Sequence, residues 1–436
     1  MLRSRAAILL VLAVLVSACS ISEQPPIAPS HFKTAQTAFR ILIEIDVNKP
    51  GSPQLMNAAL DAVQAQLVKD GAPVPTIAHP EFTGNPESDF AKFSASLDTV
   101  IATNPAEDAT KLEHVATEGM ASTLKECHTY FLDPDRAKGF NAPPQQYSGI
   151  GASLSVASSD HLVEIVQVFP GSPAEKAGVK KGDLIFKVNG EDVANFTSEE
   201  VANRVRGTEG TTVNLVLIRN AVEIPLAIVR GKVTAPRVLD QTDDGGVGYI
   251  AVSQLNGDVA NQVAAAVKRQ NDAGVIGRVL DLRDDPGGDL SAAIDIASIF
   301  IKRAVLIYQV GRDGQRDAIR TNDDLYIANP KPLVVLVNKN SASGSEIIAA
   351  AVRANGVGTV MGDRTFGCVG SSSPRQLPDG SLLLVTVTVM QDAKTGEELN
   401  GTDRGIVPDR SVPLEAGRPD TQLAAAETYI KSGGKN

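Results

Sequence analysis

The chain of 436 residues has no tryptophan, and phenylalanine and tyrosine bring its aromatic content to only 4%. That argues against a ligand cleft walled by stacked rings, the usual arrangement for sugar binding. It has five histidines, and neither His-x-x-x-His nor Cys-x-x-Cys spacing occurs. No metal site is therefore readable, and no cofactor is expected. Basic residues number 41 against 51 acidic ones, a net charge of -10, and no basic run or basic-aromatic cluster interrupts the acidic balance. Nucleic acid is excluded as an expected partner. The three cysteines are Cys19, Cys127 and Cys368.

The amino terminus opens with the basic Met1-Leu2-Arg3-Ser4-Arg5, followed by an apolar run over residues 6–16. That run is too short to span a bilayer and reads as a signal peptide. Val16-Ser17-Ala18-Cys19 resembles the lipobox of bacterial lipoproteins. The resemblance implies cleavage after residue 18, lipid on Cys19 and a tether over residues 19–30. The expected location is the bacterial envelope, facing the periplasm, and Ser20 in the second mature position favours the outer membrane. An ordinary secretory signal is the alternative.

With 436 residues, 43% of them hydrophobic, the chain is long enough for two or three cores. Residues 31–146 contain amphipathic helical runs, such as 55–68 and 106–124, interrupted by a Pro/Gly-rich stretch over 71–86. From 147 to 232 the pattern changes to short strands with one or two helices. Val168-Phe169-Pro170-Gly171-Ser172-Pro173-Ala174-Glu175-Lys176-Ala177-Gly178-Val179 and Lys181-Gly182-Asp183-Leu184-Ile185 closely resemble the signature of bacterial PDZ domains. By that resemblance Gly149, Ile150, Gly151 and Ala152 form the loop that holds a peptide's terminal carboxylate through backbone N–H groups. The peptide then adds as a strand beside 152–156, and Val201 and Val205 on a helix over 198–205 are groove candidates. A PDZ domain used for gating or docking is the alternative.

The remainder, 233–436, alternates strands (248–252, 279–282, 333–337, 382–389) with helices (259–270, 290–301, 345–354), and the tail over 421–431 reads as a final helix. This predicts an α/β core with a mixed sheet. Within it an apolar strand, Leu333-Val334-Val335-Leu336-Val337, leads through Asn338-Lys339-Asn340-Ser341-Ala342-Ser343-Gly344 into a helix, and Thr365-Phe366-Gly367-Cys368-Val369-Gly370 follows. The segment resembles the catalytic core of the C-terminal processing (tail-specific) serine peptidases. The resemblance covers nearly the whole mature chain in the family's order of helical region, PDZ domain and peptidase core.

In that family the serine, here Ser343, is activated by a lysine in the later turn. Cys368 stands in the lysine slot, and Ser372 replaces the glutamine four residues on. A hydroxyl needs a base to take its proton during attack, and Cys368 carries no amine. Asp285-Pro286-Gly287-Gly288 resembles the family's oxyanion turn, which makes Gly287, Gly288 and Gly344 the candidate donors to a tetrahedral oxyanion. Cys127-His128-Thr129-Tyr130 resembles the segment whose histidine is the base in the related tricorn-type enzymes. His128 is thus the substitute base, with Asp403 or Glu398 to orient it; a structural histidine and solvated carboxylates are the alternatives.

If the fold follows the family, Cys127 and Cys368 both lie beside Ser343. In an oxidising compartment the two could form a bridge, the alternative being two small buried thiols. Three functions remain open at this point. The first is a lipid-anchored serine endopeptidase that recognises protein tails. The second is a PDZ scaffold that captures tails without cutting, and the third is a thiol-dependent variant in which Cys368 acts as a thiolate. Substrate identity and oligomeric state are not legible.

Overall fold

The computed structural model describes residues 30–72, 76–139, 147–156, 162–194, 196, 198–233, 236–243, 245–327, 331–401, 404–414 and 420–434. The lipobox with Cys19, the tether up to residue 29, and Asp403 lie outside these residues.

The carboxyl-terminal half, from residue 236 on, expected to be the catalytic half, is built on a six-stranded sheet. Its order is Val238–Thr242, Val247–Val252, Gly277–Asp281, Leu333–Val337, Thr359–Gly362 and Arg410–Ser411. The first pair is antiparallel and the others are parallel, so the sheet is mixed. Gly277–Asp281 and Leu333–Val337 are buried at every position, as strands covered by helices on both faces must be. On one face the helices Val259–Asp272, Leu290–Phe300 and Gly344–Ala354 pack into the main core. Thr421–Lys431 covers the other through Ala426 and Ile430. Arg283 ties this last helix to the end of the Gly277–Asp281 strand by bridging Asp281 and Asp420, both at 2.6 Å.

A second, five-stranded sheet contains Leu382–Asp392 with Gly370–Gln376, Val305–Gly311, Arg316–Arg320 and the short Tyr130–Leu132. The last of these strands comes from the amino-terminal region and pairs antiparallel with 382–384. The four helices of that region, Lys33–Ile45, Ser52–Lys69, Pro86–Thr103 and Ala109–Ser122, do not close on themselves. Their hydrophobic cluster takes in Leu377, Leu383 and Val385 from the catalytic half. The segment that bears His128 is thereby fixed to the strand Leu382–Asp392, because Thr129 Oγ1 lies between Asp46 and Thr386.

The PDZ region enters and leaves through one paired ribbon, Tyr147–Gly149 against Gly231–Val233. Its sheet runs Ala152–Val156, Val163–Val168, Leu184–Val188, Thr212–Arg219 and Val222–Val229, with Glu191–Asp192 paired to Leu184–Val188. Ala152–Val156 is an edge strand, and the helix Ser198–Val205 runs beside it. Arg230 donates to the carbonyls of Val205 and Arg204, satisfying that helix's last turn with a cation.

Candidate active site

The site begins where the buried strand Leu333–Val337 ends. Ser341 Oγ donates to the Leu282 carbonyl, the Asn338 N–H donates to Ser341 Oγ, and Asn338 also accepts from the Asp284 N–H. These bonds pin the loop after one strand to the loop after its parallel neighbour. Ser343 follows with φ 52° and ψ -114°, a backbone conformation costly for any residue with a Cβ. It is half-buried and directly precedes the helix Gly344–Ala354. The strain is held by Glu346, whose Oε2 accepts the Ser343 N–H at 3.0 Å.

Glu346 is wholly buried. Oε2 also accepts the Cys368 N–H at 2.8 Å, and Oε1 accepts the Gly367 N–H at 2.8 Å and the Thr365 hydroxyl. Burial pushes its carboxyl above the usual range, opposed by these four donors. One carboxylate thus joins the nucleophile's turn to the turn 365–368, and the Phe366 N–H adds a bond to the Ser341 carbonyl.

The Pro-Gly-Gly turn meets the serine from the other side. A Cβ on Gly287 would lie 2.7 Å from the Gly344 nitrogen and 2.9 Å from Ser343 Cβ, and one on Gly288 would lie 2.1 Å from the Leu255 carbonyl oxygen. Only glycines allow this approach, and both have positive φ. The expectation for Gly287 needs correction: its N–H is already given to Asp285 Oδ1 at 2.8 Å. Gly288 and Gly344 remain as the candidate donors, the Gly288 nitrogen lying 3.7 Å from where a Cβ on Gly344 would stand. Gly344 heads its helix, where backbone N–H groups lack intrahelical acceptors.

Cys127 and Cys368 are joined by a disulfide, with Cα atoms 5.9 Å apart. His128 is half-buried against this bridge, its Nδ1 3.4 Å from either sulfur and its Nε2 3.6 Å from Cys368 Sγ. Burial lowers its pKa below 6.5, against a smaller opposing effect of Glu126, so the ring is neutral at pH 7. Among the described residues no hydrogen bond links His128 to Ser343. The three side chains lie within 4.8 Å, close enough to hold an ion, but their sulfurs are consumed by the S–S bond and a metal would need thiolates. The same bond removes the thiolate that a Cys368 base would require.

The other expected residues fall elsewhere. Glu398 pairs with Arg404 at 3.3 Å, both partly exposed, and Ser372 sits opposite Thr386 in a strand pair. In the PDZ region Ile150 is buried, and its carbonyl accepts the Ala174 N–H. Gly149 is paired to Gly231, Gly151 has φ 81°, and Ala152 opens the edge strand. Val201 and Val205 are 0% and 5% exposed and belong to the PDZ core. As placed they do not line an open groove, because an apolar helix stripe next to a sheet packs inward onto it. Sequence reasoning missed Glu346 and Asp285. A Ser-x-x-Glu capping box was legible at 343–346, but its outward connections were not.

Comparison with known proteins fits this geometry. Residues 246–412 match the model of peptidase family S41, and residues 141–218 match the PDZ domain. The carboxyl-terminal-processing protease of Synechocystis sp. is 34% identical over 334 residues, which is 73% of this chain and 77% of that protein. The protein of the same description from Picosynechococcus sp. is 32% identical over 68% of this chain and 72% of its own length. The solved photosystem II D1 C-terminal processing protease superposes with a TM-score of 0.50 at 24% identity, covering 94% of this chain and 98% of that one, and supports the fold. The chain belongs to the C-terminal processing protease family, the PDZ-containing serine peptidases of family S41.

The Glu346 arrangement yields a direct test. Glu346→Gln keeps the shape but replaces one acceptor oxygen with a donor NH₂, leaving at least one buried N–H group facing it. A stability loss of about 3 kcal/mol is expected in urea unfolding. Labelling of Ser343 by a serine-directed fluorophosphonate should fall with it, since both turns lose their common anchor. An unchanged unfolding midpoint would show that the carboxylate is not the anchor.

Proposed function

We propose that the protein is a lipid-anchored envelope endopeptidase that takes protein tails through its PDZ domain and cleaves them by acyl-enzyme chemistry. The carrying observation is Ser343 on its strained strand-to-helix turn, with the Pro-Gly-Gly turn so close that a Cβ on Gly287 would lie 2.9 Å from Ser343 Cβ. In this reading Ser343 Oγ attacks the scissile carbonyl as neutral His128 takes the hydroxyl proton. The oxyanion accepts from Gly288 and Gly344. The proton passes to the departing amine, and water, deprotonated by the same ring, releases the acyl group. Closure of the substrate-bound site would have to bring His128 to Ser343, as catalytic hydrogen bonds often tighten only with substrate bound.

A second reading has one specific observation behind it. The lysine slot is closed by a disulfide and His128 rests on its sulfurs, an arrangement that also suits a protein capturing tails without cutting them.

Cleavage of an unfolded, tail-bearing protein by the chain and by Ser343→Ala separates the two. Turnover that vanishes in Ser343→Ala, with an acid limb below pH 6.5 that reports protonation of His128, is the expected result. Reduction frees the turn 365–368 from the His128 segment and should lower turnover. No turnover alongside measurable tail binding would establish the scaffold.

The edge strand Ala152–Val156 supports tail recognition, because an unpaired edge offers main-chain partners to an added peptide strand. Amidating the substrate's terminal carboxylate is expected to raise KM and to lower kcat; unchanged KM and kcat would remove the carboxylate from recognition.

The anchor rests on the lipobox. Cys19→Ser should abolish palmitate incorporation and move the protein from the membrane to the soluble envelope fraction, and unchanged labelling would rule out lipid at Cys19.

A further inference from the structure

Asp285 is fully buried in the oxyanion turn. Its Oδ1 accepts the Gly287 N–H at 2.8 Å, and its own carbonyl accepts the Ala342 N–H at 3.1 Å, so it touches both strands of the turn that brings Gly288 to Ser343. Its Oδ2 faces the buried hydroxyl of Ser345, yet as placed neither atom completes a hydrogen bond. Charged residues on the packed elements are committed elsewhere. On its own loop Arg283 pairs with Asp281 and Asp420, Asp284 accepts from Asn338 and Asn340, and Asp289 is exposed. On the serine's helix Glu346 is saturated by four donors. None of these supplies a cation to a buried carboxylate.

We propose that Asp285 is a positioning residue that works as the neutral acid, holding the Gly287 N–H with one oxygen and Ser345 with the other. Its ionisation switches acyl transfer down. The inference rests on the serine-peptidase reading. The Ser345 hydroxyl can partner either form, so charge decides the effect. An oxyanion developing on Gly288 and Gly344 gains from a neutral neighbour and is opposed by a carboxylate buried in the same turn. Burial pushes the Asp285 carboxyl up to about 6, against the lowering effect of the Gly287 N–H and of the nearby Ser345 hydroxyl, which places the change within the working range of the envelope.

The test compares pH profiles from 5 to 8.5 for the chain, Asp285→Asn and Asp285→Ala, with an unfolded tail-bearing protein as substrate. Asparagine keeps the acceptor for the Gly287 N–H but carries no charge at any pH. The native profile should be a bell whose alkaline limb falls about tenfold or more. Asp285→Asn should hold a plateau at high pH, and Asp285→Ala should be slower throughout without an alkaline limb. Parallel native and Asp285→Asn profiles would overturn the proposal.

Thermal unfolding gives a second readout that needs no turnover. A carboxyl whose folded pKa is raised contributes stability that is complete below its unfolded pKa and is lost as pH rises through about 6. The native chain should therefore lose stability relative to Asp285→Asn between about pH 4 and 7. A flat difference shows that Asp285 is not held neutral and overturns the proposal. If no form cleaves at any pH, the peptidase reading fails and takes the catalytic half with it, while the unfolding comparison still decides the protonation state.

Discussion

The buried carboxylate of Glu346 is the constraint on which the site depends. Its two oxygens take donors from Ser343, Thr365, Gly367 and Cys368, so one side chain fixes the nucleophile's turn and the turn of the absent lysine at once. Placing an anion in a core is expensive unless its lone pairs are satisfied, and here four donors satisfy them without a cation. That choice matters chemically. A lysine or arginine partner would stabilise the carboxylate equally well but would put a fixed positive charge beside the serine. Backbone donors stabilise it while leaving the electrostatics of the serine to the oxyanion turn and His128.

The disulfide extends this scheme to the amino-terminal region. Cys127 follows four helices whose hydrophobic cluster already shares Leu383 and Val385 with the catalytic half, and Cys368 hangs from Glu346 through its backbone. Linking the two fixes His128 to the turn that Glu346 positions. Cross-linking residues 241 apart in sequence also restricts the unfolded chain over most of its length. The order of the chain thereby acquires a function. The helical region serves as the mount of His128, sharing its core with the strand Leu382–Asp392.

Much of this was legible in the sequence because periodicity and turn chemistry report local events. The strand Leu333–Val337 and the last helix Thr421–Lys431 have the boundaries expected, and the helix expected over 345–354 begins one residue earlier. The second sheet was largely illegible. Arg316–Arg320 is exposed and charged, Gly370–Gln376 is rich in serine, and neither shows alternation of apolar residues. Tyr130–Leu132 is three residues long and exists as a strand only because 382–384 lies beside it. The same limit explains the site. Ser343 and the glycines announce themselves by local pattern, whereas the reach of Glu346 to Thr365 and Gly367, and the use of the Gly287 N–H by Asp285, are tertiary facts. Val201 and Val205 illustrate the converse: an apolar helix stripe marks a buried face, and here both pack into the PDZ core, since burial by the domain's own sheet is commoner than burial by a ligand.

The proposed His128 mechanism also gives the PDZ domain more to do. A buried neutral lysine would be a base preformed in the resting enzyme, whereas His128 rests on sulfur and has no bond to Ser343 among the described residues. In that mechanism activation requires movement, and the structure restricts where it can occur. The turn 365–368 is held by Glu346, and the His128 backbone is held by Thr129 and the bridge, so imidazole rotation about its side-chain bonds is the freest step. The PDZ region is the least constrained large unit, joined through one two-stranded ribbon, with Lys181 to Gln241 as a polar contact across to the catalytic half. A tail added to the edge strand Ala152–Val156 would tug directly on that ribbon, since Gly149 and Ala152 flank a two-residue loop. Binding energy from a remote part of the substrate would thus be available to complete the catalytic geometry, the same use of binding energy that makes truncated substrates lose kcat in other enzymes.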